Sequence, residues 1–159
     1  MERQKAVSGI AYDENTAKIG LLKVPDKPGI AARVFTALAK ASVNVDMVIQ
    51  SIHGGKVADL SFTVSQEDLS RAEEITRKLA KEMNAEGVVS DAKVAKVSIV
   101  GVGMISQPGV AAKMFQSLAD AGINIEMIST SEIKVSCIVS KDKGKEAVKI
   151  LHKAFELHK

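Results

Sequence analysis

The run PGIAARVFTALAKASVNVDMVIQS begins at Pro28, and the run PGVAAKMFQSLADAGINIEMISTS begins at Pro108, 80 residues later. The two stay in step without a gap to Ser51 and Ser131. Gly29/Gly109, Ala31/Ala111, Phe35/Phe115, Leu38/Leu118, Asn44/Asn124 and Met47/Met127 are identical pairs, and Arg33/Lys113, Val45/Ile125 and Asp46/Glu126 keep their chemistry. Internal repetition at such a spacing means that one fold has been used twice. The 159 residues therefore hold two small domains rather than one of ordinary size.

Periodicity predicts the elements of each copy. Lys18 to Val24 is an apolar run ending at Pro25, a strand. Ile30, Val34, Leu38 and Ala41 lie four, four and three apart, one face of a helix, with Pro28 expected in its first turn. Val43 to Ile52 is rich in β-branched residues and reads as a strand. A turn at Gly54-Gly55 leads to 57–64, where Leu60, Phe62 and Val64 alternate with polar residues. A helix over 69–83 and a strand over 88–94 complete a βαββαβ unit, the ferredoxin-like arrangement.

The second copy reads as strand 96–103, helix 110–121, strands 123–131 and 134–140, and helix 143–156, one strand short. Val7 to Tyr12 alternates as a strand with no local partner. A bare sheet edge is a liability, so the N-terminal strand is expected to complete the second sheet. The expected fold is α+β, with two βαββαβ domains. The first, 17–94, is inserted in the second, 1–16 plus 95–159.

Composition narrows the function classes. Apolar residues are 46% and charged residues 26%, as in a globular protein, and no run approaches the ~18 apolar residues of a membrane-spanning helix. MERQKAV carries no apolar signal segment, so a cytoplasmic location is expected. Lysines interleave with acids, and aromatics are 3% with no Trp, which argues against nucleic-acid binding. Cys137 is the only cysteine, and His53, His152 and His158 are dispersed on expected surface positions, so neither a disulfide nor a metal centre is indicated and no cofactor is expected. Cys137 alternates with Val135 and Val139 and reads as core, as do Met47 and Met127. The lysine-rich stretch 141–159 reads as a solvated helix face.

A catalytic reading fails on its parts. A small ferredoxin-like acyl phosphatase would need an Arg in a phosphate-cradling loop, whereas Arg33 lies inside a helix, and no nucleophile–base pair is present.

The turn Asp26-Lys27-Pro28-Gly29-Ile30-Ala31 lies at a helix N-terminus, where unsatisfied backbone N–H groups and the helix dipole favour an anion. Gly29 permits close approach, and Pro28 stiffens the turn. Gln107-Pro108-Gly109-Val110-Ala111 repeats it. Asp26 has no charged twin, because Ser106 aligns with it. Plainer roles stand beside these. Asp26 would cap the helix, and Asn44 and Asn124 would tolerate a left-handed turn.

A βαββαβ unit with a Pro-Gly turn before its first helix resembles an ACT domain. DKPGIAARVF, NVDM, VGVGM at 100–104 and SQPGVAAKMFQSLADAGINIEMISTSEIKVSCIV together resemble the C-terminal regulatory region of aspartokinases. The resemblance covers nearly the whole chain and implies a non-catalytic allosteric subunit or region, without the amino-acid kinase domain. It implies feedback inhibition by an end-product amino acid bound between ACT units, a homodimer, and an aspartokinase catalytic domain or subunit as partner.

Carried over, Asp26, Lys27, Pro28, Gly29, Ile30 and Ala31 would face Asn124 and Ile125, with Gln50 reaching the ligand side chain. A second site would set Gln107, Pro108, Gly109, Val110 and Ala111 against Asn44, Val45 and Asp46, with Ser129, Thr130, Ser131 and Glu132 nearby. Threonine is the first candidate, suited to Gln50 and the small Ala31. Lysine is the second, with Glu132 as its ammonium partner. The alternative is a structural ACT module that dimerises and scaffolds a kinase without sensing a ligand.

Overall fold

A computed structural model describes residues 6–103 and 107–157. Ser106, the counterpart of Asp26, together with Met104 and His158, lies outside the described residues. The strands are β1 (Gly9–Asp13), β2 (Ala17–Pro25), β3 (Val48–His53), β4 (Val57–Val64), β5 (Gly87–Asp91), β6 (Val94–Val100), β7 (Met127–Thr130) and β8 (Lys134–Ser140). The helices are α1 (Ile30–Lys40), α2 (Leu69–Glu82), α3 (Val110–Asp120) and α4 (Gly144–Ala154). The chain divides into two compact units: Asn15–Ala92, and the described residues of Met1–Glu14 with Lys93–Lys159.

In the 15–92 unit the sheet order is β3-β4-β2-β5, every neighbour antiparallel. Alternate residues of β4, Ala58, Leu60, Phe62 and Val64, are buried against Ile30, Val34 and Leu38 of α1 and Ala72, Leu79 and Ala80 of α2. That is the meeting of a period-2 face with a period-3.6 stripe. Phe62 is wholly buried and takes the Phe35 ring edge-on, centroids 5.5 Å apart.

In the other unit the order is β1-β6-β8-β7. The N-terminal strand β1 pairs with β6 from Gly9↔Val100 to Asp13↔Lys96 and holds the sheet position that β5 occupies in the first unit. The second sheet is thus completed by the N-terminal strand, as expected from its missing edge. The fold is α+β, a doubled βαββαβ pattern with two four-stranded antiparallel sheets.

Strand starts differ from the sequence expectation. The segments 43–47 and 123–126 are irregular, so β3 begins at Val48 and β7 at Met127. Each helix first ends on a left-handed residue, Ser42 at φ 59° or Gly122 at φ 73°. The following Val43 or Ile123 N–H then bonds back to the Leu38 or Leu118 carbonyl at 3.0 and 2.9 Å. Val43 and Ile123 are buried in their cores, so the chain spends these residues crossing from the helix layer to the sheet edge. The left-handed conformation therefore falls on Ser42 and Gly122, and the expected role for Asn44 and Asn124 is corrected.

Candidate functional site

Each Pro-Gly turn is built by the glycine. Gly29 sits at the N-cap of α1 with φ 93°, and Gly109 at the N-cap of α3 with φ 94°, a left-handed geometry that side-chain-bearing residues rarely adopt. A Cβ on either glycine would meet nothing within 4 Å, so backbone conformation, not crowding, selects the residue. The first helical bonds are Arg33 N–H to the Gly29 carbonyl and Lys113 N–H to the Gly109 carbonyl, both 2.9 Å. No side chain caps either helix. Two expectations are corrected here: Asp26 does not cap α1, and Pro28 precedes the N-cap instead of standing in the first helical turn. The first-turn N–H groups thus have neither an intrahelical acceptor nor a side-chain cap.

Asp26, Lys27, Pro28, Gly29 and Ala31 are exposed, whereas Ile30 is buried and anchors the turn in the core. The Asp26 N–H donates to the Lys56 carbonyl at 2.8 Å, tying the turn to the β3–β4 hairpin loop. Gln50 lies in the same unit on β3, opposite Leu60 and therefore on the helix-bearing side of the sheet, with its side chain exposed. Asn44 is exposed, Val45 packs against the core, and the Asp46 N–H donates to Thr63 O at 3.0 Å.

In the second unit a cleft of about 430 Å³ brings together Gln107, Pro108, Gly109, Val110 and Ala111 with Thr130, Ser131 and Glu132, floored by Val135. Ser129 lies on β7 opposite Ser136, outside this cleft, and the Ser131 N–H is taken by Lys134 O at 2.7 Å. Asn124 is exposed, while Ile125, like Val45, is half-buried and packs against its core. Sequence reasoning missed a further hollow of about 320 Å³ beside the same turn, where Lys113 Nζ stands 5.2 Å from the centre of the Phe155 ring. It also missed the bond from Asp26 to Lys56, whose only sequence signal is the Gly54-Gly55 turn.

Burial pushes the Cys137 thiol up to about 12, so it stays a neutral core group at physiological pH. Among the described residues no group of three His, Cys, Asp or Glu side chains could hold a metal. No helix among the described residues is long and apolar enough to cross a membrane. What the turns offer is a pair of helix N-termini without side-chain caps, ends of the kind that favour an anion.

Comparison with known proteins is consistent with that inventory. Models of the ACT domain match residues 21–82 and 97–155. The chain is 48% identical to a chain of a solved structure of aspartokinase alpha and beta subunits, with TM-score 0.89, covering 95% of this chain and 99% of that one. It is 45% identical to the ligand-free regulatory subunit of aspartate kinase from Thermus thermophilus, again with TM-score 0.89 and 99% of that chain covered. An aspartate kinase of Pseudomonas fluorescens is 47% identical over 154 residues, 97% of this chain but 37% of that protein. The chain thus spans about two fifths of the length of the curated relatives it matches.

Proposed function

The chain belongs to the aspartokinase family as its tandem-ACT regulatory part, and on that premise we propose that it senses an end-product amino acid of the aspartate pathway and transmits feedback inhibition. The two ACT units occupy the described residues, so the kinase domain of the longer relatives has no counterpart within these 159 residues. The effector is threonine, or lysine as the second candidate. Its carboxylate meets the N–H groups at the start of α1, and its ammonium meets Asp26. Gln50 reads its side chain, and the backbone at Asn124 and Ile125 completes the site. The turn at Gln107 to Ala111, with Asn44 to Asp46 and Glu132, forms the second and chemically different site. The first ACT domain, 17–94, acts as an insertion in the second. The protein works in the cytoplasm as a homodimer with an aspartokinase catalytic domain or subunit. Effector binding shifts that partner toward a less active state, by the 1–3 kcal/mol typical of such coupling.

The observation that carries this reading is the doubled glycine-capped turn, φ 93° and 94°, with no side chain closing either helix. Titration calorimetry with threonine and then lysine tests it. Saturable binding weakened at least tenfold in Asp26→Ala is the expected result, since charge-assisted pairs supply about 1.5–3 kcal/mol. No heat and no shift in melting temperature with either amino acid would overturn it.

One observation favours the scaffold alternative. Val48 and Ile52 are 49% and 70% exposed on β3, a strand at the open edge of its sheet. A purely structural module would dimerise in light scattering and bind neither amino acid.

A further inference from the structure

The hairpin that holds the Asp26 turn is itself braced by three residues that ligand contact does not use. β2 bulges where its pairing with β4 shifts between Leu21 and Val24, and Lys23 takes φ 52° there. The bulge directs the Lys23 N–H at Asp59, whose Oδ1 accepts it at 2.9 Å. The other oxygen, Oδ2, lies 2.9 Å from His53 Nε2 at the end of β3. Just beyond, the Asp26 N–H reaches the Lys56 carbonyl in the loop joining β3 to β4. One carboxylate on β4 therefore ties β2 and β3 together beneath the loop that fixes the turn.

Imidazole is the side chain whose charge ordinarily changes between pH 5 and 8. A carboxylate binds imidazolium more strongly than neutral imidazole, because both partners are then charged. The charged groups that the structure places at this brace are Asp59 from β4, in contact with His53, and Lys23 from β2, which acts on Asp59; Lys23 Nζ is itself 3.6 Å from Glu86 Oε2. The Lys23 N–H and, after it, the His53 contact hold the Asp59 carboxyl below its ordinary range, so it is a carboxylate throughout the range in which imidazole ordinarily changes charge. The other repeat has no such brace. Thr130↔Val135 is its version of Gln50↔Leu60, which puts Ile133 and Lys134 where the first unit has His53 and Asp59.

Resting on the reading of the Asp26 turn as the effector turn, we propose that His53 and Asp59 are positioning residues that make amino-acid binding there proton-linked. Protonated His53 tightens the brace, holds the loop carbonyl on Asp26 and raises effector affinity. The second turn, without the brace, binds independently of pH over the same range.

Threonine titrations from pH 5.5 to 8.0, where the ligand keeps its charge state, provide the test on wild type, His53→Gln and Asp59→Asn. Exchange protection of the Asp26 amide is followed in parallel without ligand. The expected result is affinity about two- to fivefold tighter at the acid end, the range an exposed ion pair supplies, and a flat profile in both variants. A flat profile in wild type, or an unchanged slope in exposed His53→Gln, overturns the proposal. Should threonine and lysine both fail to bind at any pH, the effector reading falls, and the Asp26 amide decides the brace. Protection that follows pH in wild type but not in His53→Gln supports it, and protection that ignores pH overturns it.

Discussion

Gly29 and Gly109 hold nearly the same left-handed angle, and α1 and α3 are both 11 residues long, yet the hairpins that follow them diverge. β3 has six residues and meets β4 through Gly54, Gly55 and Lys56, whereas β7 has four and meets β8 through Ser131, Glu132 and Ile133, a loop of equal length but without glycine. On the helix-bearing side, Val48, Gln50 and Ile52 of β3 correspond to Ile128, Thr130 and Glu132 of the second copy. The comparison separates two kinds of constraint. The turn and helix are preserved in both copies because a left-handed glycine and an apolar stripe are needed to build them. The hairpin sets the shape and charge beside each turn, so its divergence makes the surroundings of the two turns unequal.

The largest expected contrast lies under these hairpins. Phe62 stands opposite Val48 and Cys137 opposite Ile128, so the two are counterparts, both fully buried. Phe62→Ala should cost about 3–5 kcal/mol, leaving a large cavity beside Phe35. Cys137→Ala should cost only about 1 kcal/mol, close to one small buried group. Urea unfolding followed by amide exchange in each unit measures both. Equal losses would break the view that the units differ in how their cores are filled.

A second contrast concerns the borrowed strand. α4 opens on buried Gly144, where a Cβ would lie 2.5 Å from the Tyr12 hydroxyl of β1. The corresponding start of α2 is Leu69. Gly144→Ala should therefore destabilise by about 1–3 kcal/mol through overpacking. Relief by Tyr12→Phe in a double-mutant cycle would locate the strain on that hydroxyl.

The helix ends offer a third contrast of about 1 kcal/mol. Ser42 holds φ 59° where its counterpart is Gly122. Ser42→Gly should raise the melting temperature and Gly122→Ser lower it, because a left-handed residue with a Cβ costs about 1–2 kcal/mol.

The smallest effect is on acid stability. Asp59 has its folded pKa lowered, mainly by the Lys23 N–H, so the stability it contributes is present above its unfolded pKa and lost as pH falls through the folded value. Asp59→Asn should flatten the acid limb of the unfolding curve of the 15–92 unit and leave the other unit unchanged.

Much of this was legible beforehand for definite reasons. Ile30, Val34 and Leu38 announce α1 because only a helix puts that spacing on one face, and the 80-residue repeat carried the same reading to α3. The starts of β3 and β7 were not legible. Val43, Val45 and Ile125 look like strand residues, yet they are apolar because they line the core during a crossover. Asp26 reads as a cap in the sequence because the alternative, an uncapped helix entered through Gly29, differs only in backbone angle. The bond from the Lys23 N–H to Asp59 depends on a bulge in a third strand, and no local pattern encodes that.

The sequence by itself determined the duplicated unit, its order of strands and helices, the orphan strand and the two Pro-Gly turns, since these follow from spacing and side-chain chemistry along the chain. Only the tertiary structure decided which edge of the second sheet β1 fills, where each edge strand begins, and that Asp26 hangs from the Lys56 carbonyl. Those features are set by hydrogen bonds between segments distant in sequence. Their partners are chosen by the geometry of the assembled sheet, and no residue declares them in advance.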